Sequence, residues 1–591
     1  MKINNLNWKI GGEAGYGIAS AGEIFGYACA HGGLESFAYL EYPSLIRGGH
    51  NTYQVWVRQD NVQSHSSQID LLIALNLETA DRHLAEVIPG GGLIFDLDYK
   101  DLRTYSCQRG DISVFPVPLE TLAKQAGGEK VMRNTVAVAA SLALVQFPFD
   151  YLSELIARAF KKKGETIIKL NVAAARAGYD YVAEKFQDKF NYKLEVHPQD
   201  SRRLLVNGNE AIAIGAIKAG VKFCAAYPMT PASSIFNYLA NSERKYNLVV
   251  KQTEDEIAAM NMVAAAGFAG VRAMTATSGG GFSLMVEALG LAGMVESPAV
   301  IVLAQRPGPA TGLPTWTEQG DLRFVLHAAQ GDFPRVILAP GDPAECFELA
   351  FQAFNLAEKY QLPVIILTDK YLAEARQTLP FFKTDNLKID RGEWADVTGR
   401  QPNERFERYA DTKTGVSPRV IPGTPGGVFV ANSDEHEPSG LSNEESAMRK
   451  LMMDKRMRKL QFARADVPEP VKLYGPKEAD VTIVGWGSMK GPILEAMKML
   501  ESKSLPAGEA GKSLSVNFLQ IRLLEPFPIK EVDAALRQAK HRLLIENNYS
   551  GQLGGLIRER TGIDITDKLL KYDGRPIHPE EIVSAINTGS V

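Results

Sequence analysis

Along the chain, short apolar runs alternate with stretches in which apolar residues recur every three to four positions. This is the pattern of strands alternating with amphipathic helices. Residues 6–10 predict a strand, 11–17 a glycine-rich turn and 18–30 a helix. Further strands are predicted at 71–75 and 92–96. The signal is stronger at 223–227, 248–251, 272–276, 299–303 and 364–367, with helical patterns between them. It returns at 480–485 and 542–546. The expected fold class is α/β, with parallel sheets covered by helices on both faces.

Breaks in this rhythm set the expected domain limits. One α/β domain covers 1–190, with a polar, linker-like stretch at 185–203. A second covers 204–390. Residues 391–470 are rich in Pro, Gly, Asn and charge and end in a basic, helix-like run at 448–460. They read as an extended connector. A third α/β domain covers 471–591. Three α/β domains suit a chain of 591 residues, since domains run to about 100–200 residues each.

Composition excludes more than it selects. The net charge is −4 and no long basic run occurs, which argues against a nucleic-acid partner. Cys29, Cys107, Cys224 and Cys346 are scattered, with no CxxC, so the chain is a poor host for an iron–sulfur cluster. Sparse cysteine fits a reducing compartment. The N-terminus has no signal-peptide pattern, and no apolar run approaches the ~20 residues of a membrane span. The expected location is cytoplasmic.

The candidate chemistry lies in loops that follow strands. The turn at 12–17 suits either a phosphate cradle or a purely structural bend, and it is not a full GxGxxG. Arg47-Gly48-Gly49-His50 reads either as an anion contact or as an interdomain contact. Tyr227-Pro228-Met229-Thr230-Pro231 follows a strand and precedes a helix. There Thr230 suits a helix cap, and its hydroxyl also suits a carboxylate. Glu254, Asp255 and Glu256 open a helix of Ala, Met, Val and Gly. Acids at a helix start are favoured by its dipole, yet an acid at the mouth of a buried helix needs a partner. Ser278 begins a Gly-Gly-Gly loop, and 305–315 form a Pro/Gly-rich loop carrying Arg306 and Thr315. Ligands of open α/β sheets bind outside the carboxyl ends of the strands, so these loops suggest one site. Within it Arg306 is a candidate for bidentate carboxylate recognition.

Four strings occur in order: YPMTPASS (227–234), QTEDEIAAMNMVAAAGFAG (252–270), MTATSGGGFSLMVEA (274–288) and QRPGPATGLPT (305–315). Together they resemble the α subunit of 2-oxoacid:ferredoxin oxidoreductases. GGEAGYG (11–17) and IRGGHNTYQVWVR (46–58) are similar to that family's γ domain, fused here to α. VSPRVIPGT (416–424) and SDEHEPSG (433–440) are similar to its inter-domain stretch. GWGSMKGPI (485–493), LLEPFP (523–528) and IENNYSGQL (545–553) resemble its transketolase-C-like domain. The resemblance spans essentially the whole chain. It implies a γ-like domain, a thiamine pyrimidine-binding domain and a transketolase-C-like domain joined by the connector.

The resemblance implies CoA-dependent oxidative decarboxylation of a 2-oxoacid on thiamine diphosphate, with electrons passed to ferredoxin. Glu256 is the implied carboxylate on the pyrimidine N1′, with Glu254 as the alternative. Tyr227, Pro228 and Ser278 fall on cofactor-side positions, and Thr230, Arg306 and Thr315 on substrate-side positions. Two departures stand out. Gly-Gly-Gly follows Ser278 where Gly-Pro-Gly is expected, and Gln330-Gly331-Asp332 replaces His-Gly-Glu or His-Gly-Asp. The chain has no GDG followed by Asn and no ferredoxin-like cysteine set. The resemblance therefore implies a β subunit carrying Mg²⁺, the diphosphate grip and a [4Fe-4S] cluster, in an (αβ)₂ heterotetramer. The expected substrate is 2-oxoglutarate, with pyruvate or a broad 2-oxoacid range as the alternative. A non-catalytic scaffold and a dinucleotide-dependent dehydrogenase are competing readings. Glu256 and Arg306 count against the first, and the incomplete glycine fingerprint against the second.

Overall fold

The computed structural model describes residues 1–45, 48–103, 109–197, 203–401, 404–503 and 514–588. Arg47 and Cys107 lie outside the described residues. The chain forms two compact units. The first is Met1–Asn207 with Glu374–Phe381 and His578–Glu581, and the second is Gly208–Ala373, Phe382–Ile577 and Ile582–Val591.

The first unit is built on eight strands in the order Ser113–Val117, Val87–Asp96, Ile69–Ala74, Asn5–Glu13, His50–Arg58, Glu35–Glu41, Arg376–Pro380 and Arg203–Asn207. Asn5–Glu13 runs parallel to Ile69–Ala74 and antiparallel to His50–Arg58, so the sheet is mixed rather than parallel. Only eight residues join Glu35–Glu41 to His50–Arg58. That is too few for the helical crossover a parallel pair needs, so these strands pair antiparallel. The strand of Arg376–Pro380 pairs with both Arg203–Asn207 and Glu35–Glu41. Leu6, Trp8 and Ile10 are fully buried with residues of the helices Ile18–His31 and Arg133–Leu144. The polar stretch expected as a linker also contributes to this core. Phe190, Tyr192 and Leu194 are buried, and Tyr192–Lys193 pairs with Lys2–Ile3. Three apolar residues spaced by two, facing one side of an extended segment, outweigh the polarity around them.

The second unit holds two sheets. Seven strands are ordered Val249–Gln252, Phe223–Ala226, Ala273–Thr277, Ala299–Gln305, Pro363–Asp369, Val336–Leu338 and Leu523–Glu525. The first six are parallel and the last is antiparallel. Ala299–Gln305 and Pro363–Asp369 are buried at every position. Helices cover both faces of such a sheet, hence the unbroken apolar runs. A five-stranded sheet follows, ordered Val471–Tyr474, Val516–Ile521, Val481–Gly485, His541–Glu546 and Asp567–Leu570.

The described residues between Phe381 and Glu445 contain no helix or strand, only isolated bridges. Buried charge holds this segment in place. Glu358 takes ion pairs from Arg272 (2.6 Å), Arg391 (2.7 Å) and Arg419 (3.2 Å). The basic run forms the helix Ser446–Ala465, and three of its cations, Lys455, Arg456 and Lys459, are buried rather than solvated. Lys455 donates to Glu296 at 2.6 Å, Lys459 bonds the same carboxylate, and Arg456 is bidentate on Glu435. Removing one partner from such a buried pair costs about 3–5 kcal/mol, because the other charge is left uncompensated. No described helix is long and apolar enough to cross a membrane.

Candidate active site

Four parallel strands of the second unit end on one edge. Ala226 lies opposite Gln252, and Thr277 opposite Leu303. The loops at 227–232, 253–255, 278 and 306–321 all leave from this edge, where an open α/β sheet binds its ligands.

The three acids after Gln252 do three different things. Glu254 is exposed. Asp255 caps the helix Glu256–Phe268, its Oδ1 accepting the Ala258 N–H at 2.8 Å. Glu256 begins that helix with 3% of its surface exposed, and its Oε1 is buried with no hydrogen-bond partner. Burial raises its carboxyl above the ordinary range, and the Asp255 charge adds to the rise. An unsatisfied carboxyl oxygen is costly to bury, so this one retains the capacity for a further hydrogen bond.

The Gly-Gly-Gly start of the helix Gly279–Met294 explains why the carboxyl fits there. A Cβ built on Gly281 would lie 2.3 Å from Glu256 Oε1 and 2.2 Å from Thr277 Oγ1. A Cβ on Gly279 would lie 2.6 Å from Asp321 Oδ2. Two of the three glycines therefore make room for acids. Gly280, where proline is expected, meets only the Ala310 carbonyl at 3.9 Å. Ser278 precedes this helix at its N-cap, yet its buried Oγ makes no capping bond and has no partner.

Arg306 follows the strand Ala299–Gln305 and reaches across to the loop at 227–232, donating from Nη1 to the Thr230 carbonyl at 2.8 Å. Burial lowers its pKa and the Asp321 charge opposes this. Thr230 is not a helix cap as its sequence position suggested. The helix begins at Ser233 and its N-cap, Ala232, makes no side-chain bond. The turn through Pro231 sets Thr230 two residues before the cap position, and its carbonyl accepts from Arg306. Tyr227 and Pro228 are exposed. Thr315 is buried and its Oγ1 has no partner.

Residues 317–321, beyond the loop singled out from sequence, add more. Gln305 is fully buried and clamps this segment, accepting the Asp321 N–H at 2.9 Å and donating to the Thr368 carbonyl at 2.9 Å. Gln319 joins the site loop to the five-stranded sheet's loops by donating to the Trp486 carbonyl and accepting from Asn547 N–H. Burial lifts Asp321 to about 6 and Glu318 to about 7. Two acids just past a Pro/Gly loop were the available signal.

Comparison with known proteins accords with this geometry. Residues 214–455 match the family model described as pyruvate flavodoxin/ferredoxin oxidoreductase, thiamine diphosphate-binding. Residues 7–181 match the model described as pyruvate ferredoxin/flavodoxin oxidoreductase. The class is thus that of oxidoreductases with a thiamine diphosphate-binding domain. The 2-oxoacid:ferredoxin oxidoreductase subunit alpha of Sulfolobus sp is 35% identical, over 98% of this chain and 96% of the relative. The 2-oxoglutarate oxidoreductase subunit KorA of Mycobacterium tuberculosis is 29% identical, over 98% and 91%. A structure of 2-oxoglutarate:ferredoxin oxidoreductase from Magnetococcus marinus, with 2-oxoglutarate, coenzyme A and succinyl-CoA bound, superposes with a TM-score of 0.91 at 33% identity, covering 100% of both chains. The chain belongs to the α subunits of the 2-oxoacid:ferredoxin oxidoreductases.

Proposed function

We propose that this chain is the pyrimidine-side half of a 2-oxoglutarate:ferredoxin oxidoreductase, which oxidises 2-oxoglutarate with CoA to succinyl-CoA and CO₂. The carrying observation is the buried, unpartnered oxygen of Glu256 in the gap at Gly281. It fits a ring nitrogen that shares a proton, such as the pyrimidine N1′. Bound thiamine diphosphate supplies the electron sink for loss of CO₂ from a 2-oxoacid. Glu256 holds the proton at N1′, and burial, which raises its carboxyl, favours keeping that proton. The Ser278 hydroxyl and the turn of Tyr227 and Pro228 line the cofactor side. Arg306, Thr230 and Thr315 orient the substrate carboxylate.

Mg²⁺ and a [4Fe-4S] cluster are assigned to a β subunit, in an (αβ)₂ assembly that reduces ferredoxin. Supporting this, Cys29, Cys224 and Cys346 lie far apart in sequence and are each buried, and burial raises all three thiols. Glu254 is exposed and serves only as a control for Glu256.

The KorA relative and the Magnetococcus structure favour 2-oxoglutarate. The Sulfolobus relative's broader name favours a wider 2-oxoacid range as the second reading. The second carboxylate of 2-oxoglutarate needs donors in a dry pocket, because leaving it unpaired is costly. A panel of 2-oxoacids on the assembled complex, with ferredoxin or a dye as acceptor, tests the choice. 2-Oxoglutarate is expected to give the higher kcat/KM, and a higher value for pyruvate would reverse the assignment.

Arg306→Lys tests the substrate side. Lysine keeps the charge but loses the planar fork. Losing a charge-assisted hydrogen bond costs about 1.5–3 kcal/mol, or about tenfold or more in kcat/KM. Thiamine content should not change. An unaltered kcat/KM would remove Arg306 from the substrate site.

A further inference from the structure

We propose that Gln319 is a positioning residue of the 2-oxoacid site, through which the five-stranded sheet of the second unit holds Thr315 in place for the substrate carboxylate. This rests on the reading of Thr315 as a substrate-side group.

Gln319 is fully buried, and its backbone and side-chain polar groups are all spent on two turns. Its N–H donates to the Asn547 carbonyl at 2.7 Å, and its carbonyl accepts from Asn548 Nδ2 at 3.1 Å. Its Oε1 accepts the Asn547 N–H at 3.1 Å, and its Nε2 donates to the Trp486 carbonyl at 3.0 Å. Trp486 follows the strand Val481–Gly485 and Asn547 follows His541–Glu546. These strands are parallel, so both turns leave the carboxyl edge of the five-stranded sheet. Gln319 itself lies in the segment that leaves the carboxyl edge of the seven-stranded sheet after Gln305. The two edges thus meet at one side chain. Gly487 permits the approach: its φ is +57°, and a Cβ there would lie 2.9 Å from Gln319 Nε2.

One buried carboxyl sets both turns. Glu546 Oε1 accepts from Trp486 Nε1 and from Asn548 Nδ2, each at 3.0 Å, and from the Leu553 N–H at 2.9 Å. Asn548 Oδ1 in turn accepts the Gly551 N–H at 2.7 Å. The strings at 485–489 and 545–553 thereby build the receptor for Gln319. The anchoring continues from Gln319 back towards Thr315. The Thr317 N–H donates to the Gly574 carbonyl at 3.1 Å, and its Oγ1 donates to Asp369 Oδ1 at 3.3 Å. The Arg575 guanidinium lies 3.2 Å from the centre of the Trp316 ring. Thr315 comes directly before this anchored run, and its buried Oγ1 is left without a partner. Its placement therefore follows from the run, and the run from Gln319.

The test is a double-mutant cycle on the assembled complex. Gln319→Met fills the same space without the amide. It should raise KM for the 2-oxoacid about tenfold and change kcat by less than about threefold, since the loss falls on substrate binding. Thiamine content should not change. Thr315→Val removes the hydroxyl at constant shape and should raise KM about tenfold. Because Gln319 acts through Thr315, the double variant should lie within about twofold of Thr315→Val alone. Gln319→Asn keeps the amide on an arm too short to reach both turns. It should show the same KM rise, and it carries the test if the methionine variant does not assemble. A role that is only structural would lower kcat at unchanged KM through loss of working enzyme, and that result overturns the proposal. So do effects that multiply to about 10²-fold in the double variant, and so does an unchanged KM in Gln319→Asn. If Thr315→Val raises KM while both Gln319 variants leave it unchanged, this inference fails and the reading of Thr315 stands. If Thr315→Val changes nothing, the reading of Thr315 fails and this inference fails with it.

Discussion

Glu256→Gln is expected to remove most turnover of the assembled complex and leave the fold intact. The carboxyl is 3% exposed, it opens the helix Glu256–Phe268, and its Oε1 has no protein partner. Glutamine keeps the size and can still hydrogen-bond, but it cannot share a proton with N1′. Positioned acid–base groups contribute about 10²–10⁴-fold, and the loss should fall in that range. Stability should hold, because the substitution removes a desolvated ionisable group while keeping its shape. The helix cap is unaffected, since Asp255 supplies it. Glu254→Gln, on an exposed side chain, should cost far less. Single-turnover decarboxylation, with thiamine content measured alongside, separates the outcomes. Near-normal decarboxylation by Glu256→Gln together with a loss in Glu254→Gln would move the assignment by two residues.

The second large effect is the inactivity of this chain on its own. Its site edge offers Glu256, Ser278, Thr230 and Arg306, but its sequence has no GDG followed by Asn and no clustered cysteines. Purified without its partner, the chain should oxidise no 2-oxoacid above background, and adding the partner should restore activity. Measurable CoA-dependent oxidation by the cluster-free chain would show that the missing halves of the site are not needed.

Much of this architecture was legible in the sequence because burial leaves a periodic trace. The strands Ala299–Gln305 and Pro363–Asp369, buried throughout, read directly as apolar runs. The four loops at one sheet edge were legible as well, because each follows such a run. What escaped was whatever depends on pairing distant segments. The strand Arg376–Pro380 carries no sign that it joins a sheet begun near residue 5. The basic run at 448–460 gave its helix but not its burial, since Lys455 and Lys459 are accommodated only by Glu296, which lies about 160 positions earlier.

The site shows the same limit at finer scale. By residue type the three consecutive acids were alike, and only the resemblance put Glu256 first and Glu254 second; the structure shows an exposed Glu254, a capping Asp255 and a buried Glu256. Thr230 had the right residue type for a cap but the wrong distance from the helix. The triple glycine showed in the sequence only as a departure from Gly-Pro-Gly. In three dimensions it makes room for Glu256 and Asp321.

The most direct test is CO₂ release from 2-oxoglutarate by the complex of this chain with its partner, with CoA and oxidised ferredoxin supplied. The expected result is CO₂ and succinyl-CoA in equal amounts, each turnover delivering a pair of electrons to ferredoxin. No CO₂ from any 2-oxoacid, in a complex that carries bound thiamine and intact cluster absorbance, would contradict the account.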